Sequence, residues 1–126
     1  MRTFFFLNKS QTILSAYLDL LNVKHTKKYA DKLYNEHPYK YSLFGLSKML
    51  SEYKIPNAGI EILNKESGLK ELEVPFIAYA GNEFVLVYEK DNEKISYLWQ
   101  RYQFYISVLF NNSILFFANI TILIKA

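Results

Sequence analysis

Apolar residues recur along the first half of the chain with the spacing of amphipathic helices. In "SQTILSAYLDLLNV" the positions Leu14, Tyr17, Leu18 and Leu21 fall at i, i+3, i+4 and i+7, with Ala16 beside them, and Ser10 is placed to cap the helix. "TKKYADKLYNE" predicts a second helix, capped by Thr26, with Tyr29, Ala30, Leu33 and Tyr34 on one face. Pro38 stops it, because a proline disfavours helical backbone in the residue before it. A third helix, "SLFGLSKMLSEYK", starts at a Ser42 cap and carries the stripe Leu43, Leu46, Met49, Leu50 and Tyr53.

After Pro56 the period changes from helical to alternating. "AGIEIL" reads as a strand, and "NKESGLKELEVP" as a polar connection with one helical turn around Leu69 to Leu72. Three strand-like runs follow, "FIAYA", "EFVLVY" and "KISYLW". Gly81-Asn82 joins the first two and Lys90-Asp91-Asn92-Glu93 the last two. Gly and Asn tolerate the positive φ angles of tight hairpin turns. Helices followed by an antiparallel meander predict an α+β fold.

Residues 104–124 are a stretch of 21 without a charge, flanked by Arg101 and Lys125. That length is enough to cross a bilayer as a helix. Asn111, Asn112 and Ser113 at its centre favour instead two strands, 104–110 and 114–124, around a turn. The sequence leaves both open, and it divides into residues 1–101 and an apolar tail, 102–126. The apolar run at residues 4–7 is too short for a signal peptide and reads as a lead-in to the first helix.

Composition narrows the function. The chain has 126 residues, 51% of them hydrophobic and 17% aromatic, which suits one domain with a real core. The net charge is +3 with scattered lysines, so no basic stripe or motif points to nucleic acid. Without cysteine there is no disulfide, thiol nucleophile or Cys-based metal site. His25 and His37 neighbour no serine in a sharp strand-to-helix turn and read as helix-end or loop histidines. The carboxylate pairs Glu71/Glu73 and Glu89/Asp91 sit in polar connections and read as solvated loops. Glycine is too sparse for a phosphate-cradling loop. The Tyr-rich "HPYKYSLFG" is either a binding surface or packing at a helix start. No metal or cofactor is expected.

The order of parts in "EHPYKYSLFGLSKMLSEYKIPNAGIEI" and "LKELEVPFIAYAGNEFVLVYEKDNEKISYLW" resembles the bacteriocin-processing double-glycine cysteine peptidases. These are papain-like domains at the start of peptide-exporting ABC transporters. Related domains resemble parts of larger bacterial membrane proteins, some with a vitamin-K-epoxide-reductase-like region. The resemblance covers residues 8–99 and rests mainly on Ser42-Leu43-Phe44-Gly45-Leu46 and "VPFIAYAGNEFVLVY". It implies a papain-like fold, with N-terminal helices packed on an antiparallel sheet.

The resemblance also implies a place for each catalytic group. The oxyanion-type Gln falls on Gln11, and the Cys on Leu14, followed by Ser15. The His falls on Glu83 and its orienting Asp on Trp99. Every member of the triad is therefore replaced, which makes an enzyme unexpected, since such residues act as a unit. A peptide groove would involve Ser15, Tyr79 and Glu83. The expected function is a non-catalytic domain binding a peptide or leader segment, cytoplasmic or membrane-associated, beside a membrane transport or redox partner. The alternatives are a structural portion of a larger membrane protein and a residual protease with relocated catalytic residues.

Overall fold

Three side-chain caps open the helices of the first half. In the computed structural model, which describes residues 11–101 and 104–125, helix α1 spans Ile13–Leu20 and begins at Thr12, whose hydroxyl accepts from the Ser15 amide. The expected cap, Ser10, and the apolar run at residues 4–7 lie outside the described residues. Thr26 opens α2 (Lys27–Glu36) and Ser42 opens α3 (Leu43–Glu52), each accepting from the amide three residues on. The connection after the first strand holds more helix than one turn: α4 runs over Lys65–Glu71 behind an Asn64 cap.

Six strands form one antiparallel sheet. They are β1 (Asn57–Ile62), β2 (Phe76–Ala80), β3 (Glu83–Lys90), β4 (Lys94–Trp99), β5 (Phe104–Leu109) and β6 (Ile120–Lys125), in the spatial order β1-β6-β2-β3-β4-β5. The β2–β3 hairpin turns at Gly81 and Asn82, both left-handed at φ 58° and 64°, the conformation such two-residue turns need. With five α-helices and this sheet among the described residues, the chain is an α+β protein.

The uncharged segment holds two strands, as one of the two readings expects, but the second does not begin at residue 114: residues 114–117 are helical and β6 starts at Ile120. Between β5 and β6 the chain makes a 3-10 turn over Phe110–Asn112 and the short helix α5 (Ile114–Phe117). No helix among the described residues is long and apolar enough to cross a membrane. Strand β6 then enters the sheet between β1 and β2, pairing with both.

Both faces of the sheet are covered, which is why its strands carry apolar runs such as "FVLV". Alternate residues point to opposite faces. Ile77, Leu86, Leu98 and Leu123 pack with Ile13, Leu14, Leu18, Leu46 and Leu50 beneath the first three helices. Phe76, Val85, Val87, Ile95, Tyr97 and Ile122 pack on the other side with Leu69 and Leu115.

Candidate functional site

The hairpin turn delivers Glu83 to the first position of β3, and the strand pairing delivers Trp99 to the last position of β4. Val85 is the direct partner of Trp99, so Glu83, two residues earlier, lies diagonally across on the same face. Trp99 Nε1 donates to Glu83 Oε1 at 3.2 Å, and Arg101 Nε lies 3.0 Å from Glu83 Oε2. The carboxylate is largely covered, at 14% exposure, whereas Arg101 is 60% exposed. Each carboxylate oxygen thus meets a donor, an arrangement that fixes the side chain.

Beside this pair is a cleft of 610 Å³, within the range of small-ligand and peptide-side-chain sites. Its sheet wall includes Asn82, Glu83 and Arg101; its helix wall includes Tyr34, Lys40 and Tyr41. Burial pushes the Tyr34 phenol up to about 12, with Tyr41 adding to the shift, so it lines the cleft as a neutral group. Lys40 is held in place by the Asn35 carbonyl, 3.1 Å from Nζ, and lies 5.1 Å from the centre of the Tyr41 ring.

The structure brings Glu83 and Trp99 together and leaves Leu14 elsewhere. Leu14 is fully buried in the core shared with Phe84 and Leu86, whereas Trp99 packs against the opposite core. The sheet separates them. Ser15 is also fully buried, and its hydroxyl donates to Asp31 Oδ1 at 2.7 Å. Neither Leu14 nor Ser15 lines the cleft. Tyr79 supports the cleft from behind: its ring centre is 4.9 Å from that of Phe84 and its hydroxyl is 3.3 Å from Asn82 Oδ1.

Gln11 belongs to a separate network. Its amide nitrogen donates to Asp19 Oδ2 at 2.6 Å, and the other Asp19 oxygen meets His25 Nε2 at 2.9 Å. His25 Nδ1 lies 2.6 Å from the Val23 carbonyl, so both ring nitrogens are engaged. His37 closes α2, where Nδ1 accepts from the Tyr39 amide at 3.1 Å. Asp91 receives the Glu93 and Lys94 amides, and these backbone bonds hold its carboxyl below the usual carboxylate range. It shapes the turn between β3 and β4. Among the described residues no group of three or more acidic or His side chains is arranged to hold a metal ion.

Sequence reasoning flagged Lys40 and Tyr41 within "HPYKYSLFG" but gave Tyr34 and Arg101 no role in a site. Tyr34 looked like one more residue of a helix stripe. Arg101 becomes a cleft residue only through the register of β4 against β3, which no local pattern announces. Neither the scan against protein-family models nor the search of curated proteins found a match.

Proposed function

We propose that the chain is a non-catalytic peptide-binding domain with a papain-like ancestry, which takes a peptide or leader segment into the cleft between the ends of β3 and β4 and the α2–α3 connection. The observation that carries this reading is the double tie on Glu83 at the cleft wall, from Trp99 and from Arg101. Where the resembled peptidases need a His and an Asp, this chain has a fixed carboxylate and an indole. There is no thiol, and the Ser15 hydroxyl is spent on a carboxylate in the core. Groups so occupied suit recognition: a ring wall, a cation and a braced carboxylate present contacts to a peptide without attacking it.

The papain-like assignment is supported by α1 packing against β3 and by the convergence of the two strand ends. The helix position implied for the nucleophile, Leu14, is a core residue, and Gln11 is tied to Asp19 instead of facing the cleft, so the helix side of the resemblance rests on the element order alone. Association with a bacterial membrane transport or redox system is part of the same proposal.

Isothermal titration of the full chain against double-glycine leader peptides tests it. Saturable binding is expected, weakened about tenfold in Glu83→Ala, the scale of losing one well-placed interface residue. No binding across a panel of leaders rejects the reading. Cleavage of the leader by the parent protein also rejects it, in favour of a protease with relocated residues.

A further inference from the structure

Large rings stand unusually exposed where α2 passes into α3. Tyr39, Tyr41 and Phe44 are 59%, 76% and 61% exposed. They fall into two neighbouring sets: the Tyr39 and Phe44 rings meet edge to face at 6.2 Å with Lys48 5.2 Å over Phe44, and Lys40 sits 5.1 Å over Tyr41. The Tyr39 backbone passes so close to α3 that only glycine fits at Gly45, which holds the chain carrying Tyr39 against the helix.

The segment that carries these rings has a surplus of positive charge. Residues 24–54 contain seven lysines against three acidic residues, a surplus of four in a chain whose total is +3. In α2, Ala30 and Tyr34 point inward, while Lys28 and Lys32 are exposed on the side away from them. In α3 the buried stripe is Gly45, Leu46, Met49 and Leu50, and Phe44 and Lys48 are exposed opposite it. The outward stripes of α2 and α3 carry the exposed Lys28, Lys32 and Lys48, with Glu36 and Glu52 at their ends, and the exposed rings lie where one helix passes into the other.

We infer that this surface docks on an anionic lipid bilayer, with Tyr39, Tyr41 and Phe44 entering the headgroup layer while the lysines face the negative surface. Tyrosine suits that layer because it has an apolar ring and a polar end, and lysine keeps its ammonium in water while its stem covers apolar surface. Tyr39 and Phe44 lie outside the cleft and Tyr41, at its wall, is still 76% exposed, so the rings project outward, which fits a deformable headgroup layer better than the surface of a folded acidic protein. The inference does not rest on peptide binding; it shares only Lys40 and Tyr41 with the cleft and leaves Glu83 and Arg101 aside.

Co-sedimentation of the full chain with vesicles decides it. The protein is expected to pellet with phosphatidylcholine vesicles containing phosphatidylserine, to stay in solution with phosphatidylcholine alone, and to be released by added salt. Combining Lys40→Gln with Lys48→Gln is expected to lower partitioning about thirtyfold, the loss for two cations near a charged surface. Combining Tyr41→Ser with Phe44→Ser is expected to lower it as well, at unchanged salt dependence. Thermal melting checks that each variant is folded; should a double variant unfold, Lys48→Gln and Tyr41→Ser alone carry the comparison. Equal pelleting with both vesicles, pelleting with neither, or full pelleting of all these variants overturns the inference. So does preferential binding to polyglutamate in competition with vesicles.

Discussion

Trp99 Nε1 donates a hydrogen bond to Glu83 Oε1 across 3.2 Å, tying the last residue of β4 to the first of β3. The bond braces Glu83, which lines the cleft, and it is open to direct measurement because Trp99 is the only tryptophan in the chain. Glu83→Ala leaves the indole N–H and Arg101 without this acceptor and should cost about 1–2 kcal/mol in urea unfolding. Glu83→Gln keeps an acceptor for the indole and loses only the pairing with an exposed arginine, so it should cost under about 1 kcal/mol. Tryptophan emission should shift in the first variant and stay near the parent in the second. Equal effects would mean that the ion pair, and not the indole bond, holds the wall.

Asp31 locks α2 to the start of α1. Its carboxylate receives the Thr12 amide and hydroxyl and the Ser15 hydroxyl on one oxygen, and Lys27 on the other. Burial pushes its pKa up, but these hydrogen bonds, led by that from Lys27, outweigh burial and hold it below 3.8. Asp31→Ala should therefore cost about 2–4 kcal/mol. The sign of the pH dependence follows from the depressed value. The stabilisation is complete above the unfolded value of about 3.9 and disappears as pH falls through the lower folded value. Urea unfolding of parent and Asp31→Asn should therefore differ most near neutrality and converge in acid below about pH 4. A gap that stays constant into acid contradicts the lock.

Gly45 and Gly59 make opposite predictions. A Cβ on Gly45 would lie 2.6 Å from the Tyr39 carbonyl carbon, whereas one on Gly59 would meet Leu43 Cδ2 at an ordinary 3.7 Å. Gly45→Ala must displace the backbone that carries Tyr39 to Tyr41 and should cost about 2 kcal/mol or more. Gly59→Ala should stay within about 0.5 kcal/mol of the parent. Thermal unfolding of the two variants side by side checks the contrast.

Local chemistry made much of the fold readable in advance. The Thr26 and Ser42 caps, the Pro38 stop and the Gly81-Asn82 turn each act within a few residues, and strands β2 to β4 carry their own apolar runs. Ser10 and Thr12 are both hydroxyl residues ahead of the same helix, and only the geometry at the Ser15 amide assigns the cap to Thr12. The place of β6 depends on a partner strand about sixty residues away, Ile62 opposite Ile120, which no periodicity encodes. At the site, the hairpin signal led to Glu83 and Trp99. The resemblance puts Ser15 in a groove, whereas the fold buries it and ties its hydroxyl to Asp31, sixteen residues away on another helix.

The position of β6 has a consequence for truncation. Ending the chain at residue 101 removes β5 from the sheet edge and β6 from between β1 and β2. The shortened chain exposes Ile77, Ala78 and Ile60 on strands that have lost their partner. It should lose cooperative thermal unfolding and aggregate, whereas a chain lacking only Ala126 should melt like the parent. Far-ultraviolet circular dichroism on heating distinguishes the two outcomes.

The central claim is that a peptide occupies the cleft beside Glu83 without being cut. Amide chemical-shift mapping of the isotope-labelled full chain, titrated with a double-glycine leader peptide, tests it most directly. The account predicts saturable shifts concentrated at Tyr34, Lys40, Tyr41, Asn82, Glu83 and Arg101, with the peptide intact at the end of the titration. Shifts centred elsewhere, no shifts at saturating peptide, or peptide fragments in the tube would contradict it.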